Sequence, residues 1–498
     1  MSDGTRTEPV QPPFVFAVDP LRAALSRLPL DGSADSEEPS PSTFYVPPEH
    51  ARALEWETPV VVGARGSGKT FWWKALQTPA LSGLLTPQTQ TKVLAGFGVT
   101  KSEAYPSRAV MVELLSRFES RDIWWAIVFE VLRADSVSQV DLSVTGGTWH
   151  ERVRWIAEHR EQLVSDLNSV DLALEIYGER RVLLFDALDR AAYDWPDLTR
   201  LLRGLLEVVL DLGGHSNLRA KVFIRPDQFA DEQVWAFRDA AKLKARRVDL
   251  EWSRAQLYQM FFHRLANDPT DGEAFREGAN RLGFHWSESG GLFRGSDRPA
   301  AGERPLRLTT KRLEELQAAT TASLAGPFMG KNDKRGQTFS WLPLHLADGH
   351  RRTSPRSFLV AWRVAGERSA ELGNDRPVHY NALKAGVQRA AAIRVDEIKD
   401  DSPWVGTLCG ALEGSMPMSE DLVVEQWRRR TDLAHTLAGS EGVKPRRFSL
   451  GPQGWLEDLL ALGVLTRRNA GRIDMPDVYR VGFKLRKKGG IKPVGPSV

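Results

Sequence analysis

The chain of 498 residues is too long for one ordinary core, and its 42% hydrophobic and 26% charged composition is that of a globular protein with roughly two to four domains. Its 67 basic and 64 acidic residues leave a net charge of only +3, so no overall field demands a nucleic-acid or membrane partner. The single cysteine, Cys409, excludes an intrachain disulfide and a cysteine-rich zinc site, and points to a reducing compartment.

The apolar surroundings of Cys409 predict inert packing. No apolar run reaches the ~18 residues of a membrane span, and the N-terminal residues lack the charged-then-apolar pattern of a signal segment. The expectation is a soluble, cytoplasmic protein with no membrane partner.

In chain order, residues 1–43 read as a flexible segment in which only Phe14 to Leu30 is apolar enough to dock as a short element; Ser33 to Ser42 reads as a linker. An ATPase core is expected over 44–250. Val60-Val61-Val62 is a β-branched run entering a Gly-rich turn, and Lys69 to Gln77 has helical length. Val93 to Phe97 and Ala109 to Leu114 are strand candidates, and Arg121 to Arg133 is an apolar helix. Val182 to Phe185 and Lys221 to Ile224 read as buried strands flanking a helix over Trp195 to Leu212. Strands alternating with helices predict an α/β fold, a parallel sheet with helices on both faces.

After about residue 250 the strand pattern stops. Helices are expected over Trp252 to Leu265, Thr309 to Leu324, Ser354 to Leu372 and Arg376 to Lys399, with a loop from Ser289 to Arg304. They form a helical lid over 251–417. Residues 418–498 read as helices at Glu420 to Arg429 and Gly454 to Leu462, then strand, Asn-Ala-Gly turn and strand over Val464 to Ile473.

One segment carries chemistry. Gly63-Ala64-Arg65-Gly66-Ser67-Gly68-Lys69-Thr70, followed by Phe71, matches the full P-loop pattern between a strand and a helix. Its glycines let backbone N–H groups close on a phosphate, Lys69 reaches the β- and γ-phosphates, and Thr70 offers a hydroxyl to Mg²⁺. Such a site needs a carboxylate at a neighbouring strand end, and Asp186 follows four apolar residues. Asp189 is a water-polarising base or a local cap. Arg225, before Pro226 at the next strand end, is a γ-phosphate sensor or one half of a surface ion pair. Arg356 opens a lid helix as a phosphate contact or a plain helix-start charge. Lys242, Lys244, Arg246 and Arg247 form a basic stretch, a trans-acting finger or a solvated face.

With these motifs in this order, the chain resembles the STAND and AAA-related branch of the additional-strand P-loop ATPases, over about 44–270. The resemblance implies nucleotide-dependent switching, oligomerisation and signal-responsive assembly, with a helical lid and a winged-helix module after the core. The Arg65 to Trp73 continuation is similar to ATPases of bacterial anti-phage systems. Motor-type relatives carry Asp-Glu where this chain has Asp186-Ala187, which implies a slow switch.

Residues 426–498 hold fifteen Lys/Arg against six Asp/Glu, with Arg467, Arg468 and Arg472 on or beside the turn. This predicts either a DNA-backbone contact or a solvated, intramolecular packing module. Tyr479 and Phe483 read as anchors to the core. The leading expectation is an ATP- and Mg²⁺-binding, slowly hydrolysing switch in a bacterial defence-type system, with a homo-oligomer or protein effector as partner. The alternative is a DNA-binding AAA-type loader using the basic C-terminal module. A non-hydrolysing sensor and a small-molecule kinase follow.

Overall fold

In the computed structural model, the structure describes residues 16–30, 37–78, 81, 90–98, 105–135, 142–144, 147–289, 291–296, 310–373, 376–439 and 444–493. Five parallel strands form the central sheet: β1 (Val60–Val62), β2 (Gln90–Phe97), β3 (Glu179–Phe185), β4 (Leu218–Ile224) and β5 (Arg247–Asp249). Their order is β2-β3-β4-β1-β5, so β4 lies between the P-loop strand and the strand that ends before Asp186.

The period-two alternation of strand side chains sets the layers. Val60, Val62, Leu183, Phe185, Val222 and Ile224 face one cluster, packed under the helices Arg108–Leu115, Ser120–Ala134 and Trp195–Leu212. Val61, Val182, Leu184, Phe223 and Val248 face the other, covered by Trp72, Trp73 and Leu76 of the P-loop helix Lys69–Gln77. Both faces are dry, as a parallel sheet requires.

The segment Ala109 to Leu114, expected as a strand, is instead the helix Arg108–Leu115. Ser107 caps it by accepting from the Val110 N–H, and Met111, Leu114 and Leu115 are buried at helical spacing. The helices Trp149–Glu158 and Arg160–Tyr177 escaped the sequence reading.

The expectation that strands end near 250 also fails. A hairpin pairs His285–Ser289 with Leu292–Ser296 inside the lid, turning at Gly291 (φ 75°) where the sequence reading placed a loop. Trp286 packs against Phe275 and Phe284, which gives this short hairpin an apolar side. Residues 297–304 of the expected loop lie outside the described residues. The lid itself consists of Arg254–Ala266, Gly272–Arg281, Thr310–Ala325, Thr338–Leu346, Pro355–Glu371 and Tyr380–Asp401.

Within the expected flexible segment, residues 16–30 are the part that docks, as their apolar content predicts. The helix Val18–Ser26 buries Leu21 and Leu25 in the lid cluster, and Gly366 sits against Leu25, where a Cβ would meet the Leu25 side chain at 2.8 Å. Arg22 donates to the carbonyls of Pro377 and Arg376. Residues 37–43 are likewise docked: Glu37 pairs with Arg264, and Ser40 and Thr43 close a turn. Phe14 and residues 33–36 of the expected linker lie outside the described residues.

At the C-terminus, Met418–Ser419, Thr466–Arg468 and Arg472–Asp474 form a three-stranded antiparallel sheet beside the helices Glu420–Arg429 and Gly451–Ala461. This is a winged-helix-like module. Trp404, Leu408 and Cys409, from the helix Pro403–Gly410, share its core, so that core extends N-terminal of the expected boundary at 417/418. Tyr479 is buried and Phe483 half-buried against the same core. Burial pushes the Cys409 thiol up, which keeps it inert. Among the described residues, no helix is long and apolar enough to cross a membrane.

Candidate functional site

The phosphate loop leaves β1 at Gly63 and re-enters regular structure at Lys69. Gly66 and Gly68 have φ of 73° and 100°, a left-handed backbone that side chains resist. At Gly63 the constraint is space, since a Cβ would lie 2.3 Å from the Ser67 hydroxyl. At Gly66 a Cβ would lie 2.4 Å from the Ser354 hydroxyl, which donates to the Gly66 carbonyl at 2.9 Å. The lid helix Pro355–Glu371 is therefore fastened to the loop at its start. Trp252, just after β5, donates to the Ser67 carbonyl at 2.9 Å.

Lys69 donates to the loop carbonyls of Gly63 (2.7 Å) and Ala64 (3.1 Å). Burial pulls its ammonium down to about 8, with Arg225 adding to the effect against the pull of Asp186. Thr70 donates to Asp186 at 2.8 Å, and burial pushes the Asp186 carboxyl up against the pull of Lys69. The Thr70 hydroxyl and the Asp186 carboxylate are adjacent hard oxygen donors, the set that Mg²⁺ takes. Together with the loop, they fit a nucleoside triphosphate and its metal.

Ala187 adopts φ 54°, which costs a non-glycine residue about 1 kcal/mol, and it opens the short turn Leu188–Arg190. That turn carries Asp189 towards Arg225, 3.6 Å away. Burial raises the Asp189 carboxyl, but Arg225 and Arg65 outweigh it, so the group sits below its usual value. Arg225 is also held by Asp227 through two bonds of 3.0 Å.

A cavity of about 490 Å³ collects these groups: Lys69, Thr70, Asp186, Asp189, Arg225 and, from the lid, Arg356. Arg356 reaches it from the lid helix while donating to Glu397 at 2.5 Å. Arg65 pairs with Asp401 at the end of the lid helix Tyr380–Asp401. Burial and Arg225 draw Arg65 down to about 10, which leaves it protonated at neutral pH.

On the other side of the loop, a slot of about 120 Å³ lies between the core and the lid. Phe71 was singled out from sequence; Phe44, Tyr45, Trp252, Met260 and Leu359 join it there. An apolar, aromatic slot beside a phosphate loop suits a flat base. Phe44-Tyr45 ahead of β1 and Trp252 after β5 were the available signals, but aromatic residues also build cores, and only the fold brings these together.

The basic stretch is occupied within the chain. Lys242 pairs with Asp239, Lys244 lies over Trp235, Arg246 pairs with Glu57, and Arg247 pairs with Asp249. The wing is similar: Arg467 pairs with Glu420 and Glu457, Arg468 with Asp474, and Arg472 donates to the Pro417 carbonyl.

No protein-family model matches the chain, and no curated protein sequence matches it. Solved structures that are similar include the ORC2 protein of Aeropyrum pernix in ADPNP–ADP complexes, at 12% identity and TM-score 0.37, covering 87% of this chain and 92% of that one. The Aeropyrum pernix ORC1 protein in complex with DNA is similar at 16% identity and TM-score 0.33, covering 95% and 93%. Cdc6p from Pyrobaculum aerophilum is similar at 12% identity and TM-score 0.28, covering 84% and 83%.

Proposed function

We propose that this chain binds ATP with Mg²⁺, hydrolyses it slowly and uses nucleotide state to reposition its lid and C-terminal module. The observation that carries the reading is the single cavity joining the phosphate loop and strand-end groups of the core to Arg356 of the lid. Lys69 would exchange its loop carbonyls for phosphate oxygens, and Thr70 and Asp186 would hold the metal. Bound Mg²⁺ would supply charge neutralisation between the β- and γ-phosphates. Arg225 would turn from Asp227 to the γ-phosphate and Arg356 from Glu397, so both arginines read the same group. Asp189 would orient the attacking water. Its pairing with Arg225 makes it a weak base until that arginine is drawn away, which supports slow turnover.

Titration with a fluorescent ATP analogue tests the reading. Binding that is lost in Lys69→Ala supports it; equal binding by that variant contradicts the cradle assignment. Oligomeric assembly and an effector protein are the finer part of the proposal and rest on the motif order, and a defence setting rests on the Arg65 to Trp73 continuation. A nuclease or other effector gene beside this one would support defence, whereas replication genes would favour the second reading.

That second reading is a DNA-binding loader. The winged-helix-like topology and the exposed Lys484, Arg486 and Lys488 favour it. Duplex binding should weaken steeply with salt and fall when these three become Ala. Salt-independent binding, or binding indifferent to the triple substitution, would rule this surface out.

A further inference from the structure

Resting on the switch reading, we propose that the loop Lys444 to Arg447 is a nucleotide-sensitive latch that holds the C-terminal module against the ATPase core, with Arg446 as its bolt.

Arg446 reaches out of the module and pairs with Asp231 of the core at 2.9 Å, while its guanidinium lies over Trp195 at 5.5 Å. The Asp231 side chain is 1% exposed and is built into the core: Trp195 Nε1 (2.9 Å), Thr199 Oγ1 (3.1 Å) and the Gln233 N–H (3.1 Å) all donate to it. A carboxylate this enclosed gains most from a charged partner, and Arg446 supplies it from another domain. Beside it, Arg447 is pinned to Asp458 of the helix Gly451–Ala461 through its backbone N–H and side chain, both at 2.7 Å. The loop is therefore fixed to that helix at one residue and to the core at the preceding one.

Just beyond Asp458, the C-terminal end of the same helix is fastened to the lid. Gly349 of the lid donates to the Gly463 carbonyl at 2.7 Å, and His350 lies 3.0 Å from the Ala461 carbonyl. A Cβ at Gly349 would stand 2.7 Å from the Leu465 carbonyl, so the two backbones touch closely. In helix-turn-helix proteins the second, recognition helix lies in the major groove of DNA, and Gly451–Ala461, which follows Leu433–Gly439, holds that place in the chain order. Here its C-terminal end is tied to the lid, and Asp458 ties it through Arg447 to the loop that carries Arg446.

What ties the latch to nucleotide is one short stretch of backbone. Arg225, at the end of β4, begins the turn of helix Pro226–Phe229, and its own N–H donates to Gln228 at 2.8 Å. The Asp231 N–H in turn bonds the Gln228 carbonyl. Residues 225–231 are thus one hydrogen-bonded unit with the proposed phosphate sensor at one end and the latch carboxylate at the other. Drawing Arg225 from Asp227 towards a γ-phosphate shifts the unit that holds Arg446. By reciprocity, releasing the latch must change nucleotide affinity by the same factor.

Hydrogen exchange of the full chain tests this at amides 226–231 and 444–462, with and without a non-hydrolysable ATP analogue whose binding is titrated in parallel. In the unsubstituted protein, the analogue should raise exchange at both segments roughly 5- to 10-fold. Arg446→Ala, at a side chain already 42% exposed, should show the raised exchange without nucleotide and bind the analogue more tightly; Arg446→Lys should restore part of the protection. Unchanged exchange in Arg446→Ala overturns the latch. Analogue binding that leaves both segments unaltered overturns its coupling to nucleotide while the switch site stands. No analogue binding at all overturns the switch reading, and with it the coupling.

Discussion

Two groups of cations in this molecule meet opposite fates. In the phosphate loop, Lys69 donates to the carbonyls of Gly63 and Ala64, and burial holds its ammonium at about 8. In the wing, Arg467 spans Glu420 and Glu457 while Arg468 pairs with Asp474. The first is a buried charge hydrogen-bonded to backbone carbonyls rather than to a carboxylate, which is what its proposed phosphate contact requires. The second is already matched by carboxylates that an incoming phosphate would have to displace. Cation density in a sequence therefore says little about anion binding until the partners of each charge are known.

That contrast can be pressed from its strongest consequence to its weakest. Asp186→Asn should lower ATP turnover by about 10²- to 10³-fold in a phosphate-release assay, because it removes the carboxylate proposed to hold the metal. A loss below tenfold would place the metal elsewhere. Asp189→Asn should cost about 10²-fold in kcat with little change in nucleotide affinity. Intact turnover would reduce Asp189 to a partner of Arg225.

The lid should loosen in acid. His263, on the helix Arg254–Ala266, packs against Tyr45 and lies near the Pro41 carbonyl; burial, helped by Arg264 and Arg294, pulls its imidazole down to about 4. Its folded value lies below the unfolded value of 6.5, so the stability it contributes is present above pH 6.5 and is lost as pH falls towards 4. The loss reaches roughly 3 kcal/mol, read as a falling denaturant midpoint that His263→Phe should flatten. A midpoint equally sensitive in that variant would assign the effect to other groups. At the weak end, Arg467→Ala should cost at most about 1 kcal/mol and leave turnover and DNA affinity unchanged, since its exposed pairs are already satisfied. A clear drop in DNA affinity would reverse the account of the wing.

The sequence made the phosphate cradle legible because its constraints are local: four fixed positions in eight residues, between a strand and a helix. Asp186 and Arg225 were readable for the same reason, each following a run of buried strand residues. What could not be read is set by distance along the chain. The segment Ala109 to Leu114 looks like a strand by its β-branched content, and only the sheet's lack of a place for it and the Ser107 cap settle the helix. Val18–Ser26 reads as able to dock, but its partner, Pro355–Glu371, lies more than three hundred residues away and could not be named. The aromatic slot and the Arg446–Asp231 pair have the same origin, since no spacing rule links residue 45 to 252 or 446 to 231.

The central claim is that the loop and the strand-end acids form one ATP-hydrolysing site. Steady-state release of phosphate from ATP with Mg²⁺ tests it most directly, comparing the unsubstituted chain with Lys69→Ala. The account predicts slow release that Lys69→Ala abolishes, and release that continues undiminished in that variant would contradict it.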